Sequence, residues 1–278
     1  MVRWPYPNQQ PPNLDWELAV DENLVLYSVV DGVAILTLNH PEKRNALSRA
    51  MLASLKQQLE RSAADPSVCV VILRAAGPAF SSGHDLRELV NASKPDHVGL
   101  FALCTEVMET IRKLAHPVIA QVHGLATAAG CQLAASCDLV VASEDASFAT
   151  PGVKIGLFCT TPAVALSRAV TPKKAMEMLL TGTPISAADA ERAGLVNRVV
   201  PRDQLDEETT KLARQIASAS VHTVSLGKQA FYKQLPLDRP AAYEVAQCVM
   251  VENAADADAQ EGMRAFLEKR SPRWTNRE

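Results

Sequence analysis

Several features are scarce in this sequence, and each absence excludes a class of protein. Lysine and arginine total 28 against 31 aspartate and glutamate, the formal net charge is −3, and no block of like charge occurs. Clustered basic side chains track a phosphate backbone, so this pattern argues against nucleic-acid binding. The six cysteines form no Cys-x-x-Cys pair and have no histidine at metal-ligand spacing. This spacing suggests neither a zinc site nor a dense disulfide framework, and it favours a reducing compartment.

Long apolar runs and export signals are also lacking. The longest stretch without formal charge, residues 114–137, is interrupted by Gln, His, Gly, Pro, Thr and Ser. It predicts a buried strand, loop and helix rather than a membrane span. Residues 1–23 have neither the apolar core of a signal peptide nor the Arg- and Ser-rich pattern of a transit peptide. We therefore expect a mobile N-terminal arm on a cytoplasmic protein with no membrane partner.

The pattern that is present predicts an α/β fold. Strands are expected at 24–30, 33–38, 68–73, 117–122, 139–142 and 197–200. The dipeptide Asp31-Gly32 is typical of a hairpin turn between the first two strands, and Ser48 is placed to cap a following helix. Ser186 and Asp189 have the spacing of a capping box. Because only helical periods follow Pro201, we predict a core at 24–203 and a helical region at 204–278.

Two loops rich in small residues each follow a buried strand and precede a helix. They cover residues 79–86 and 123–132. Free backbone N–H groups at a helix N-terminus bind oxyanions, and small side chains let a ligand approach them. The alternative is that Gly and Ala merely permit tight strand-to-helix turns.

The motifs in these loops resemble the enoyl-CoA hydratase/isomerase, or crotonase, superfamily. The first loop is similar to the family signature Ala-Phe-x-x-Gly-x-Asp-Leu/Ile, and the second to Gly-x-Ala-x-x-x-Gly-Cys-x-Leu-Ala. Residues 39–47, 137–142, 181–196 and 261–270 extend the resemblance, which covers nearly everything after residue 24.

This resemblance implies a spiral of ββα units followed by a helical region that assembles trimers or hexamers. It implies an acyl-CoA thioester as ligand, with coenzyme A as part of the substrate and no separate cofactor. The backbone N–H groups of His84 and Ala129 would stabilise the thioester enolate. Contacts to coenzyme A would fall at Lys43, Arg44, Ala46, Asp85, Leu86 and Arg87 and, from a neighbouring subunit, at Phe266 and Lys269.

The sequence departs from the family at the two positions that carry hydratase chemistry. A hydratase of this family holds one water between two glutamates, because hydration of a conjugated double bond needs an acid and a base. Those positions are Gln132 and Gly152 here. Glutamine orients a water without taking its proton, and glycine offers no side chain. Standard two-glutamate hydratase chemistry is therefore not expected.

Other side chains near the inferred pocket are candidates for the missing groups. Possible nucleophiles or proton carriers are Cys131, Cys159, Thr150, His84 and His123. Cys131 also suits an apolar core and His123 a structural hydrogen bond. Asp85 is placed to cap a helix, Asp138 to anchor a strand end, and Glu144 and Asp145 to face solvent in a turn.

Three functions remain open. One is an enzyme that stabilises an acyl-CoA enolate, with isomerase, hydrolase or lyase chemistry. The second is a non-catalytic protein that binds or senses acyl-CoA, and the third is an oligomeric scaffold. Apolar positions after residue 203 favour a subunit interface, among them Leu212, Ile216, Val245, Val249, Phe266 and Leu267.

Overall fold

The computed structural model describes residue 21 and residues 23–275. The predicted N-terminal arm, residues 1–23, lies almost entirely outside the described residues. The described chain forms ten strands, ten α-helices and four 3₁₀ turns. The strands are β1 (Val25–Val30), β2 (Val33–Leu38), β3 (Val70–Ala75), β4 (Ala79–Ser81), β5 (Val118–Val122), β6 (Leu125–Thr127), β7 (Leu139–Ser143), β8 (Ser147–Ala149), β9 (Ile185–Ser186) and β10 (Arg198–Val200).

The helices follow each pair of strands and then continue alone to the C-terminal end. They are α1 (Arg49–Ala64), α2 (Lys94–Lys113), α3 (Ala129–Ser136), α4 (Thr160–Ala169), α5 (Pro172–Thr181), α6 (Ala187–Ala193), α7 (Leu205–Ala217), α8 (Val221–Gln234), α9 (Arg239–Ala255) and α10 (Ala257–Leu267). The 3₁₀ turns are Pro41–Lys43, Leu86–Glu88, Pro151–Ile155 and Arg202–Gln204.

Two sheets result from a repeated strand–strand–helix unit. The large sheet has the order β1-β2-β3-β5-β7-β10 and the small sheet the order β4-β6-β8-β9. Three successive units contribute one strand to each sheet, as β3 with β4, β5 with β6, and β7 with β8. The chain therefore winds as the predicted α/β spiral, and the loops that leave β4 and β6 are brought side by side.

The small sheet corrects the expectation that residues 79–86 and 123–132 are loops throughout. Both segments contain three-residue strands, and β4 pairs with β6 in parallel. Strands of three residues, here Ala-Phe-Ser and Leu-Ala-Thr, are too short to show an apolar periodicity of their own. They are defined by pairing between distant parts of the chain.

Each face of the large sheet is covered by helices. One face packs into the main core with α1, α2 and α3, where Leu36, Leu52 and Leu73 are fully buried. The other face packs against α7, which contributes Leu212 and the half-buried Ile216 to a second cluster with Val70 and Ile72. Leu212 is therefore buried within its own chain, which corrects its assignment to a subunit interface, whereas Ile216 keeps part of its surface exposed.

The later helices leave large apolar side chains in solvent. The structure buries no residue of α9. Phe266 is 83% exposed and Leu267 is 79% exposed. No helix within the described range is long and apolar enough to span a bilayer. Phe266 and Leu267 therefore belong to an exposed apolar surface near the C-terminal end of the described chain.

Candidate functional site

The two small-residue loops are in direct contact. Gly83 has a φ of +83°, and a Cβ added there would lie 2.9 Å from Ala128 Cβ and 3.3 Å from the Ala129 nitrogen. Its lack of a side chain is therefore required both by its conformation and by the neighbouring loop. Gly130, in the first turn of α3, must also lack a side chain, since a Cβ there would lie 2.5 Å from the Ser81 carbonyl oxygen. The N-terminus of α3 consequently packs directly against the strand that leads into the first loop.

An unusual backbone conformation at Ala128 starts α3. Ala128 has φ 51° and ψ −118°, which is uncommon for a residue with a side chain and costs about 1–3 kcal/mol. It persists because the Ala128 N–H donates to the Ala149 carbonyl at 2.9 Å, and the Ala128 carbonyl accepts from the Gln132 N–H at 3.0 Å. The next N–H along the chain, that of Ala129, is left at the open end of the helix.

The segment 40–47 fixes the first loop from the other side. The Leu47 N–H donates to the Gly83 carbonyl at 2.7 Å, and the Ser82 N–H donates to the Arg44 carbonyl at 3.0 Å. Asn45 holds this segment in place, because its side-chain amide donates to the carbonyls of Ala76 and Ala79 at 2.8 and 2.9 Å. The loop containing His84 is therefore held between this segment and the second loop.

The N–H groups of His84 and Ala129 are both available to a ligand. Within residues 23–275 neither of them donates to a protein acceptor. Both residues line a cavity of about 1410 Å³ that runs between α2 and the segment 151–162. Apolar side chains such as Val98, Phe101 and Phe158 form much of its wall. Two residues with unbonded backbone donors therefore lie in the wall of a largely apolar cavity.

The imidazole of His84 forms part of the same wall. Its Nδ1 lies 3.1 Å from the Leu47 carbonyl oxygen, and its ring meets Phe101 edge-on with 5.4 Å between centroids. Burial lowers the pKa of His84, and the Leu47 carbonyl opposes that shift. Phe101 lies on α2, a helix that was not predicted from the sequence although its buried residues, including Leu100, Cys104 and Ile111, follow the helical period.

The positions of the two missing glutamates have different surroundings. Gln132 is 5% exposed, does not line the cavity, and its Oε1 is without a partner among the described residues. Gly152 lines the cavity. A Cβ at Gly152 would lie 2.7 Å from the Leu157 carbonyl oxygen and 2.8 Å from Cys159 Sγ. The space for a side chain at 152 is therefore already filled by the segment that follows it.

The remaining candidates divide between the cavity and the core. Cys159 lines the cavity and burial raises its pKa, while burial raises the pKa of Cys131 to about 12. Thr150 is fully buried, and its hydroxyl has no partner within the described chain. His123 Nε2 lies 2.8 Å from the Gly77 carbonyl oxygen, as expected of a structural histidine.

The acidic candidates have structural roles. The Asp85 carboxylate accepts from the Arg87 N–H at 3.0 Å and caps the turn at 86–88, as predicted. Asp138 accepts from the Val118 N–H at 2.7 Å and anchors a strand start. Glu144 and Asp145 are exposed, and Asp145 pairs with Arg202. None of these carboxylates lines the cavity.

The residues assigned to coenzyme A lie beside the cavity, in the segment next to the first loop, and at the end of α10. Leu86 lines the cavity, and Asp85 and Arg87 flank it in the same turn. Lys43, Arg44 and Ala46 belong to the segment that anchors the first loop. Phe266 and Lys269 lie at the exposed end of α10 and do not line the cavity of their own chain. In the described chain no group of His, Cys, Asp and Glu is arranged to hold a metal ion.

Comparison with known proteins identifies close relatives. The model of the enoyl-CoA hydratase/isomerase family matches residues 29–277. The chain is 54% identical over 247 residues to the mitochondrial enoyl-CoA hydratase domain-containing protein 3 of Rattus norvegicus, a match that covers 88% of this chain and 82% of the relative. The crystal structure of human enoyl coenzyme A hydratase domain-containing protein 3 superposes with a TM-score of 0.89 at 53% identity, covering 90% of this chain and all of that one. An enoyl-CoA hydratase structure from Mycobacterium smegmatis gives 0.88 at 50% identity, covering 90% and 98% of the two chains.

These relatives correct one expectation. The rat and human relatives are named mitochondrial, so the prediction of a cytoplasmic protein is wrong. A compartment is specified by an address segment rather than by the folded core. Unpaired cysteines report a reducing environment and do not distinguish one reducing compartment from another.

Proposed function

Because the chain belongs to the enoyl-CoA hydratase/isomerase family, whose ligands are acyl-CoA thioesters, we propose that it binds an acyl-CoA and stabilises the thioester enolate through the N–H groups of His84 and Ala129. The observation that carries this proposal is the pair of unbonded donors, one on each of two touching loops, in the wall of one apolar cavity. Donors fixed by the fold need no reorganisation when negative charge develops on the thioester oxygen.

The proposed chemistry starts from this oxygen and does not include ordinary hydration. Negative charge develops on this oxygen in the enolate of an isomerase or lyase reaction and in the tetrahedral intermediate of thioester hydrolysis, and the same two donors would stabilise either species. Gly152 has no side chain, and the Gln132 amide cannot accept a proton from water. The acid–base pair of a two-glutamate hydratase is therefore missing.

A second candidate function is non-catalytic binding or sensing of acyl-CoA. It is favoured by the buried position of Gln132 outside the cavity lining and by the lack of a side chain at Gly152. Both functions predict that purified native protein carries a CoA thioester, which mass spectrometry of the released ligand would identify. Turnover of a panel of acyl-CoAs distinguishes the enzyme from the sensor.

The oxyanion assignment can be tested without knowing the reaction. Butyryl-CoA labelled with carbon-13 at the carbonyl should show a downfield shift on binding, because two N–H donors polarise the C=O bond. Gly83→Ala should abolish this shift, since its new Cβ would press on Ala128 and Ala129. Gly156→Ala is the matched control: Gly156 has a similar φ of +78°, but no atom lies within 4 Å of its added Cβ.

The control variant should retain the shift although its backbone is strained to a similar degree. Free coenzyme A, which has no carbonyl at this position, should bind both variants alike. A carbonyl resonance that stays unshifted in the wild-type complex would contradict the assignment.

A further inference from the structure

Both proposed donors belong to peptide units whose carbonyl groups are held by the fold. The His84 N–H shares its peptide with the Gly83 carbonyl, which accepts from the Leu47 N–H at 2.7 Å. The Ala129 N–H shares its peptide with the Ala128 carbonyl, which accepts from an N–H of α3 at 3.0 Å. Both peptides are trans, and in a planar trans peptide the N–H points opposite to the C=O. Each of these hydrogen bonds therefore fixes the direction of a donor on the other side of its peptide.

The Ser81 hydroxyl holds the backbone immediately before the first donor. It accepts from the Gly83 N–H at 3.3 Å and donates to the Asn45 carbonyl at 2.9 Å. The hydroxyl therefore uses its proton on one segment and a lone pair on the other. Because the Gly83 carbonyl is already bonded to the Leu47 N–H, both polar groups of Gly83 are occupied. The left-handed turn at Gly83, with φ +83°, is thus fixed on both sides where it leads into His84.

The same side chain lies against the second loop. A Cβ added to Gly130 would lie 2.7 Å from Ser81 Cβ and 2.9 Å from Ser81 Oγ. Since a Cα–Cβ bond spans about 1.5 Å, the Gly130 Cα lies no more than about 4.2 Å from Ser81 Cβ. Gly130 directly follows Ala129, and Gly83 directly precedes His84. One fully buried side chain therefore contacts the chain neighbours of both donors, although these lie on different loops.

We propose that Ser81 is a positioning residue that sets the spacing and direction of the two backbone donors, an inference that rests on the acyl-CoA function proposed above. Its hydroxyl holds Gly83, and its Cβ and Oγ limit how closely Gly130 approaches. Both donors must reach the same thioester oxygen at about 2.7–3.1 Å, so a small shift of either loop weakens one of the two bonds. Ser81 does not line the cavity, and it acts through the backbone of His84 and Ala129.

The carbonyl resonance of bound butyryl-CoA tests this role. Ser81→Ala keeps the Cβ and removes the hydroxyl, which leaves the Gly83 N–H and the Asn45 carbonyl without their partner. The variant should lose most of the downfield shift that butyryl-CoA labelled with carbon-13 shows in the wild-type complex, because the donors no longer converge on one oxygen. In the isotope-edited infrared spectrum, the C=O band should broaden and move toward the frequency of free ligand. Free coenzyme A should bind as it does to the wild type.

Ser62→Ala is the matched control. Ser62 is also fully buried, and its hydroxyl donates to the Gln58 carbonyl at 2.9 Å. It lies on α1 and does not line the cavity. Both variants lose a buried hydroxyl hydrogen bond to a backbone carbonyl, whereas the spectroscopic change should occur only in Ser81→Ala. If Ser81→Ala does not fold by circular dichroism, Ser81→Cys is compared instead and should lose part of the shift, because a thiol is a weaker donor and acceptor.

The outcomes are distinct. A folded Ser81 variant that binds butyryl-CoA with the full wild-type shift overturns the positioning role, and so does an equal loss of the shift in Ser62→Ala. A wild-type complex without a shift, or a protein that binds no CoA thioester, contradicts the proposed function instead.

Discussion

Lys228 and Asp138 form a buried ion pair between α8 and the start of β7. The Nζ atom lies 2.7 Å from a carboxylate oxygen, and the two side chains are 6% and 14% exposed. Lys228 also donates to the carbonyls of Ile111 and His116 at 3.0 Å, and the Tyr232 hydroxyl donates to Asp138 at 2.8 Å. This network attaches α8 to the ends of α2 and two neighbouring strands.

Removal of the lysine should destabilise the protein strongly. Lys228→Ala leaves Asp138 and two carbonyls without their charged partner, which costs about 3–5 kcal/mol for a buried pair. Lys233→Ala, on the exposed side of the same helix, should change stability by less than about 0.5 kcal/mol. Urea denaturation followed by circular dichroism measures both. Equal midpoints for the two variants would contradict this account.

Hydration of crotonyl-CoA should be absent or very slow. Loss of a positioned acid or base costs about 10²–10⁴-fold, and both are missing here. Loss of the ultraviolet absorbance of the enoyl thioester measures the reaction. Turnover of about 10 per second or more, an ordinary enzymatic rate, would show that other groups act as the acid and the base in place of the glutamates.

Restoring the glutamates should not restore a hydratase. In Gln132→Glu with Gly152→Glu, the second side chain would collide with the Leu157 carbonyl oxygen and with Cys159 Sγ. Adding Cys159→Ala relieves the sulfur contact and leaves the backbone contact. We expect neither the double nor the triple variant to hydrate crotonyl-CoA at a hydratase rate. The same absorbance assay measures this. A large gain of hydratase activity in the double variant would show that the segment 151–159 moves to accommodate the new side chain.

Cys159 provides an independent probe of ligand binding. Burial raises the pKa of Cys159, so its reactive thiolate forms at a higher pH than the thiolate of an ordinary cysteine does. Alkylation of Cys159 should therefore accelerate in alkaline solution and be slowed by butyryl-CoA, because this thiol lines the cavity. Cys248, which is exposed on α9, should react at a rate that butyryl-CoA leaves unchanged. Peptide mass spectrometry resolves the two sites, and ligand protection of both or of neither would contradict the placement of the ligand.

We propose that the exposed apolar surface of α9 and α10 assembles trimers or hexamers. Leu267→Asp places a charge on a side chain that is 79% exposed and should shift the protein toward monomer. Val30→Asp is the control, since Val30 is 53% exposed and lies on the β1–β2 hairpin rather than on α9 or α10. Analytical ultracentrifugation at micromolar concentration measures both, and a wild-type monomer would end the proposal.

The sequence predicted the elements whose signal is local. The bounds of β2, Val33–Leu38, were predicted correctly, and the Ser48 hydroxyl caps α1 by accepting from the Met51 N–H at 3.2 Å. At Ser186 half of the predicted capping box is present, in which its hydroxyl accepts from the Asp189 N–H at 3.1 Å. Apolar periodicity and cap residues act within a few positions of each other, so they can be recognised along the chain.

Features that depend on distant contacts could not be predicted in this way. The obstruction at Gly152 comes from a backbone carbonyl five residues later, and its position depends on how the segment folds back. Likewise, the contact between His84 and Phe101 joins a loop to a helix that the sequence analysis had not identified. The sequence also could not show whether Leu212 packs on the sheet or on a neighbouring subunit, because both kinds of helix face have the same apolar periodicity.

The packing of α7 on the outer face of the large sheet limits how this protein can be divided. A fragment that stopped at residue 203 would uncover Val70, Ile72, Ile119 and Val141, four neighbouring apolar side chains in the middle of a parallel sheet. Such a surface promotes self-association of a truncated chain. Expression designs, proteolytic fragments and gene fusions should therefore keep residues 205–217 with the sheet, and a junction after α7 is the earliest one that leaves this face covered.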